Sequence, residues 1–591
     1  MAFLTPGLAF IARGLISLIL PCILIAGIRL FLAVQFHLVV PIWATSALSI
    51  LALPFILIAR YQIHQYRHRR RAAALGARMA PTLVGNWPGN LDILLDAMQK
   101  LVASYPGDGH WQWIEKHGYS FNLNFLWEDE MITYEPEIIK KILATDFPIY
   151  VKGEKFHHSM ASVLGTGLFN SDNDMWKFHR HMTRPFFSRD RISDFDNFER
   201  HASLAIEAMK QRLRSGHPVD FQDLIARFTL DSASEFLLGK NVRALEDALP
   251  YPHNAPGIHV KKSSPAEDFS VAFAHAQFVL AKRANIGWMW PITEILGDQT
   301  KAPMKVVDEF IWPIVDEAIE KNQARAQQGK IFNKEEVGEE STLLDHLVNL
   351  TTDREIVKDE IINIMIAGRD TTASTLTFLA YFLGQHPEVF QRLREEVLSS
   401  VGPTARPTYD DVRDMKYLRA VINETLRLFP AVPFNLRETT QDTTWPSADP
   451  AQKPIFVPAG TTTTYSVFVM HRRTDLWGPD ALEFDPDRFL DARQKTYLAK
   501  NPFIFAPFNA GPRICLGQQF AYNEMSYFLI RLMQSFASLE IDFDAQLPET
   551  RPPPAWRHVP GRQSIEKFWP KAHLTMYAHG GLWVKMNEAS N

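Results

Sequence analysis

The chain has 591 residues, 46% of them apolar and 22% charged, with only two cysteines, Cys22 and Cys515. That composition supports a large buried core and excludes a disordered tail, a disulfide scaffold or a cysteine-rich zinc module. The net charge of −4 hides an asymmetry: residues 1–91 carry eight arginines, no lysine and no acid, leaving −12 on the remainder, a balance that argues against nucleic-acid binding.

From Leu15 to Ala59 the sequence is almost wholly apolar and divides into Leu15–Val34 and Leu38–Ala59. Each is long enough to cross a ~30 Å hydrocarbon layer as a helix, and membrane helices tolerate prolines such as Pro21, Pro41 and Pro54. The second stretch is free of charge and predicts a span. Arg29 leaves two readings of the first, a span with a snorkelling arginine or an interfacial helix. A cleaved signal peptide is disfavoured, since its apolar core is only about 7–15 residues long. Arg60, Arg67, Arg69, Arg70, Arg71 and Arg78 follow, and the positive-inside rule then places the rest of the chain in the cytosol, on the endoplasmic-reticulum membrane. Residues 1–80 therefore read as a membrane anchor with a basic juxtamembrane segment, Pro81–Asn90 as a hinge rich in turn formers, and residues 81–591 as one body.

Strand-like runs at Tyr119–Phe125 and Met131–Tyr134 predict a hairpin, followed by a helix from near Pro136. Helical periodicity marks Phe221–Leu238, Val307–Gln327, Asp353–Gln385, Pro387–Ser399 and Met415–Leu428. Asp247–Glu267, with four prolines, predicts a loop that lines or covers a site. His573–Ala578 and Leu582–Met586 flank His579-Gly580-Gly581 and predict a second hairpin. The fold class is mainly α with small β-sheets.

The most informative segment is Phe508-Asn-Ala-Gly-Pro-Arg-Ile-Cys-Leu-Gly517, just before the helix-like run Gln518–Phe536. A thiolate near a helix N-terminus is favoured by the free N–H groups and the dipole. Gly511 and Gly517 would let backbone N–H groups approach the sulfur, and Arg513 could neutralise a carboxylate of a bound group. An inert buried cysteine is the commoner fate of a lone thiol. With each framing residue at ~5–7% of composition, however, all four around one cysteine arise by chance on the order of once in 10⁵.

These ten residues resemble the haem-binding signature F-x-x-G-x-R-x-C-x-G of the cytochrome P450 family. The resemblance implies a cytochrome P450 fold preceded by an N-terminal membrane anchor, haem b (iron protoporphyrin IX) as cofactor and Cys515 as the iron's thiolate ligand. Phe508, Gly511, Arg513 and Gly517 are then cofactor-binding residues. Ala367-Gly368-Arg369-Asp370-Thr371-Thr372 is similar to the family's oxygen-activation motif, which makes Thr371 and Asp370 the proton-delivery pair and sets Gly368 against the cofactor. Without that resemblance, Thr371 simply bonding back to a helix carbonyl is the readier reading. Trp176-x-x-x-Arg180 and Arg437 match the family's propionate-binding positions. Glu424-Thr-Leu-Arg427 and Phe484-Asp-Pro-Asp-Arg488-Phe489 resemble its structural Glu-Arg-Arg network, with Asp487 where the family has Glu. His179 and His181 read as core or polar residues.

Several strings, among them AGRDTT and FVPAGTTTTYSVFVMHRRTDLWGPDALEFDPDRF, are similar to those of fungal microsomal members that hydroxylate n-alkanes and fatty acids. The resemblance thus implies a monooxygenase of small apolar substrates, using O2, with terpenoids or polycyclic aromatics as the alternative substrates. A haem-thiolate peroxide isomerase or dehydratase, and a non-catalytic haem-binding membrane protein, are disfavoured by the intact Thr371 and Asp370. Only 76 residues follow Cys515, too few for a flavin domain. Electrons are expected from a membrane-bound NADPH-dependent flavoprotein reductase, with cytochrome b5 as a second donor.

Overall fold

The computed structural model describes residues 4–188, 192, 195–255, 264–327 and 342–590. Its first two elements are helices longer than the apolar stretches that predict them. Pro6–Phe36 begins where the Thr5 side chain accepts from the Leu8 N–H, and ends at His37 in the left-handed region. Ile42–Ala74 starts after Pro41 and continues through Arg60, Arg67, Arg69, Arg70 and Arg71, so most of the basic segment is the same helix carried past the apolar part, with only Arg78 beyond it. Both helices are long and apolar enough to cross a membrane, and their apolar stretches are not buried by the rest of the chain. The start of the first helix touches the body, with Thr5 Oγ1 donating to the Ile295 carbonyl (2.6 Å) and the Phe10 ring tilted against Trp288, centroids 5.7 Å apart.

Pro81–Asn90 is not a free hinge. Thr82–Leu83 pairs parallel with Asn122–Leu123, and Asn90 Nδ2 donates to the Leu83 and Asn124 carbonyls at 3.0 and 2.8 Å. Turn-forming composition signals turns whether or not their ends are tied to a sheet, which is why it reads as a linker.

The body is mainly helical, and its helices begin where local chemistry allows. Asp220 caps Phe221–Leu238, which Gly239 ends at φ 67°. Asp353 accepts from the Glu355 and Ile356 N–H groups to open Arg354–Gln385, Pro387 opens Pro387–Ser400, and Met415 precedes Lys416–Leu428. The helix expected from Val307 starts earlier, at Lys301, with Pro313 inside it. Arg354–Gln385 is buried over most of its circumference between Val357 and Leu383. It is therefore the central beam against which the other helices pack.

The early hairpin forms, Ser120–Phe125 against Glu128–Thr133. These strands belong to a six-stranded sheet completed by Thr82–Leu83, Thr462–Ser466, Phe434–Thr439 and Tyr150–Val151. The expected late hairpin does not form. Pro570–Ala572 pairs instead with Met576–Ala578, while Trp583–Glu588 pairs with Phe536–Ile541 and with Val219–Asp220. Gly580 and Gly581, at φ 80° and 86°, carry the chain between the two sheets, and the Leu582 N–H donates to Asp220 Oδ1 (3.0 Å). Within Asp247–Glu267, residues 256–263 lie outside the described residues. Its described loop portion is held by Arg212, which donates to the Leu249 carbonyl (2.7 Å), and by His253 Nδ1 at 3.0 Å from the Ala545 carbonyl. No described residue of it lines the cavity below.

Candidate active site

Four segments remote in sequence meet around one cavity of about 590 Å³. Phe508, Arg513, Cys515 and Gly517 reach it from the loop before helix Gln518–Ser535, and Gly368 and Thr371 from the central helix. Trp176 and Arg180 come from helix Asn173–Thr183, and Arg437 from strand Phe434–Thr439. Of the site residues expected from sequence, only Asp370 and Gly511 are absent from the wall.

The thiol loop is held by its own backbone. The Cys515 N–H donates to the Phe508 carbonyl (3.0 Å), the Ile514 N–H to that of Gly511 (3.0 Å), and both Arg180 Nη atoms to that of Ile514 (3.1 Å each). Gly511, at φ 67°, lies against another segment: a Cβ there would stand 1.9 Å from the Leu143 carbonyl oxygen. Its glycine serves loop packing rather than approach to the sulfur. Gly517 does approach it, its N–H bonding the thiol. The Cys515 side chain is open to the cavity within the body's interior. Burial pushes its thiol up, against the opposing pull of the Gly517 N–H and the Arg180 charge. The helix N-terminus alone therefore does not make it a thiolate; a cation bound at the sulfur would.

Across the cavity rim sits a cluster of cations short of counter-charge. Arg513 stacks 4.7 Å over Trp176 and donates to Asp172 Oδ1 (2.7 Å) and the Ser171 carbonyl (2.9 Å), with its Nε unpartnered. Burial and then Arg437 bring its pKa down to about 10. Burial, Arg437 and Arg513 hold the Lys152 ammonium well below the ordinary lysine range. Asp172 is the local acid: burial opposes its charge, but hydrogen bonds from His157, Lys152 and Gly153, with Arg513, keep its carboxyl well below the usual range. Such a cluster fits a ligand bearing carboxylates, and an accessible thiol beside it fits that ligand's metal. The donor set is the one haem requires.

On the facing wall, Thr371 Oγ1 donates to the Ala367 carbonyl (2.6 Å). Asp370 points away, accepting from Gln277 Nε2 (2.7 Å) with Arg369 Nη1 at 3.4 Å. His179 is fully buried 2.8 Å from Glu360, the core role expected of it, and His181 is exposed. Lys152, Asp172 and Gln277 were not legible in advance, because no local pattern marks a residue that meets its partners only through the fold. Glu524 was missed likewise. It is fully buried and accepts from Ser232 Oγ (2.6 Å), with the cavity-lining Thr372 as a second donor. Burial pushes it up to about 8, outweighing those two bonds, so the carboxyl is protonated at neutral pH. The folded state then binds a proton that the unfolded chain releases above its ordinary carboxyl pKa, and stability falls as pH rises through about 5–8. We expect Glu524→Gln to flatten the decline of Tm over that interval, measured by circular dichroism.

A mainly helical body that turns a thiol, an arginine cluster and a hydroxyl-bearing helix onto one cavity defines a haem-thiolate protein. The cytochrome P450 family model matches residues 96–560. Cytochrome P450 52E1 of Candida apicola is 35% identical over 509 residues, covering 84% of this chain and 92% of that protein. Cytochrome P450 52A3-B of Candida maltosa is 35% identical over 441 residues, 73% of this chain and 78% of the relative. Cytochrome P450 monooxygenase pvhE of Talaromyces variabilis is 33% identical over 488 residues, 78% and 80% of the two chains. The chain belongs to the cytochrome P450 family. It is a haem monooxygenase that draws on O2 and an electron-donating partner.

Proposed function

We propose that Cys515 is the thiolate ligand of the haem iron, and that the enzyme hydroxylates n-alkanes or fatty acids at or near the chain terminus. The observation that carries this reading is the shared cavity, with the thiol on one wall, Thr371 on another, and apolar side chains such as Phe156, Leu164, Phe236, Leu237, Ile364 and Phe434 elsewhere. The resemblance of AGRDTT and its neighbouring strings to fungal microsomal alkane and fatty-acid hydroxylases supports an unbranched apolar substrate. Arg180, Arg437 and Arg513, beside Trp176, would hold the propionates, and Phe508, Gly368 and Gly517 would help to hold the cofactor.

Bound haem supplies O2 activation and the insertion of one oxygen atom into a C–H bond. The apolar wall excludes water from the substrate and leaves its orientation to shape, and one methylene discriminates by only ~1–3 kcal/mol. Thr371, its own proton engaged by the Ala367 carbonyl, offers Oγ1 lone pairs to a water O–H and so keeps that water in the cavity. Asp370, on the far side of the helix turn with Gln277, would relay protons from solvent to that water once it leaves Gln277. Thr371→Ala then keeps haem binding and diverts reducing equivalents to peroxide; product formed per NADPH, measured with peroxide release, is expected to fall severalfold. Unchanged coupling removes Thr371 from the mechanism.

Residues 1–80 act as the anchor and 81–591 as the catalytic domain, on the cytosolic face of the endoplasmic reticulum, taking electrons from an NADPH-dependent flavoprotein reductase and cytochrome b5. The start of the first helix and the end of the second both meet the body, as in a two-span hairpin whose termini share one side. Reconstitution with that reductase and dodecanoate or a linear alkane, analysed by mass spectrometry, tests the substrate. Terminal or near-terminal alcohols are expected; turnover of terpenoids or polycyclic aromatics with no chain hydroxylation rejects it.

A further inference from the structure

We propose that His64, His68 and Asp129 form a binding site for one divalent transition-metal ion, zinc by its donor set, which clips the end of the second N-terminal helix to the body. The site is separate from the cavity and does not depend on the substrate reading.

His64 and His68 stand four residues apart on helix Ile42–Ala74, so both imidazoles project from one helical face, a spacing that suits two ligands of one metal. Their ring centroids are 3.9 Å apart. Asp129 comes from strand Glu128–Thr133 in the six-stranded sheet, and one donor atom from each of the three residues lies within 4.8 Å of the others.

Two features point to a ligand rather than to chance proximity. His68 is only 2% exposed, and its Nδ1 is buried without a hydrogen-bond partner. That nitrogen faces Asp129 Oδ2 at 3.7 Å, too long for a hydrogen bond. It is close to the ~3.3 Å that separates two tetrahedral ligands each about 2.0–2.1 Å from zinc. Asp129 is also pre-oriented: its Oδ1 accepts from Asn122 Nδ2 and Asn124 Nδ2, each at 2.7 Å. Such outer contacts orient metal carboxylates, and here they leave Oδ2 for the imidazole side.

Two imidazoles and one carboxylate favour zinc over calcium or magnesium, which take oxygen ligands. His64 is exposed, so a fourth position is open to water. The neighbouring arginines oppose a dication, although Arg71 is engaged by Asp442 (3.0 Å). Around the site the helix end is held by that ion pair, by Ala72 and Ala77 against Phe456, and by the Arg78 N–H to the Pro454 carbonyl (2.8 Å). A bound zinc would add a link from the helix to the sheet, fixing how the body sits on its anchor.

The test is calorimetric titration of the haem-loaded, full-length protein in detergent with Zn²⁺, comparing wild type, His64→Ala and Asp129→Asn. One ion per chain is expected for wild type, with affinity at least about tenfold weaker in each variant. The carbon-monoxide difference spectrum, as a control for folding, is expected to be the same in all three. Zinc should also slow tryptic cleavage at Arg69–Arg71 in wild type and not in the variants. No zinc binding by wild type, or equal affinity in all three proteins, overturns the site; binding that leaves cleavage unchanged overturns the clip.

Discussion

Cys515→Ser is expected to leave a folded protein that gives no red-shifted Soret band as its reduced carbon-monoxide complex and no turnover above the haem-free background. The side chain opens onto the cavity and packs little, and the loop is shaped by the backbone bonds from Cys515 to Phe508 and from Ile514 to Gly511. Serine preserves all of these. What it removes is an ionisable soft donor: burial already pushes the cysteine thiol up, and a hydroxyl in the same place stays protonated, so no anionic ligand reaches the iron. Circular dichroism should match wild type while the spectrum and product formation are lost. A persisting thiolate-type band would transfer the ligand role elsewhere, although Cys22, the other cysteine, lies in the first apolar helix.

The arginine cluster sharpens the same experiment. Burial and then the charge of Arg437 depress both Lys152 and Arg513, with Asp172 as the acid opposing that effect on each. Two carboxylates entering there relieve the repulsion independently of the axial ligand. Haem can therefore remain partly bound in Cys515→Ser with its electronic signature changed, which is why the spectrum and not haem content is the decisive readout.

Much of this was legible because its signals are local. Asp353, Asp220 and Pro387 mark helix starts by chemistry contained within a single turn, and those helices begin where expected. The framing of Cys515 is likewise a ten-residue pattern. Non-local features were not legible. Trp583–Glu588 alternates as a strand whichever partner it takes, and its choice of Phe536–Ile541 over the nearby Met576–Ala578 depends on where two positive-φ glycines redirect the chain. Helical phase puts Thr371 and Asp370 on different sides of the central helix, yet sequence does not say which side is hollow; Gln277, almost a hundred residues away, claims Asp370. The thiol's ionisation depends on how deeply the loop is buried, a property of the whole fold.

Glu424→Ala is expected to destabilise the body by ~3–5 kcal/mol and to release haem on mild heating. The i, i+3 spacing of Glu424 and Arg427 would by itself suit a surface pair, and only the family resemblance marks it as structural; both side chains are completely buried, with Arg427 Nε and Nη2 each 2.7 Å from the carboxylate. The Asp485 N–H (3.0 Å) and Arg488 Nε (3.5 Å) share Glu424 Oε1. Alanine would strand the Arg427 charge in the core, still donating to the His471, Ala481 and Glu483 carbonyls but without an anion. The damage has a route to the site. His471, held neutral because burial and then Arg427 and Arg472 bring its pKa down to about 3, bridges the Arg427 carbonyl (Nδ1, 3.2 Å) and the Ala506 N–H (Nε2, 3.1 Å) at the entrance to the thiol loop. Asp487→Ala, in the same FDPDRF segment, is the contrast. Asp487 meets Arg392 on the surface at 2.7 Å with both side chains substantially exposed, a pair worth at most ~1 kcal/mol. Thermal melts followed together with the Soret band should show Glu424→Ala losing haem at or before unfolding and Asp487→Ala melting with wild type. Equal melting temperatures for the two variants would show that the buried network does not support the loop.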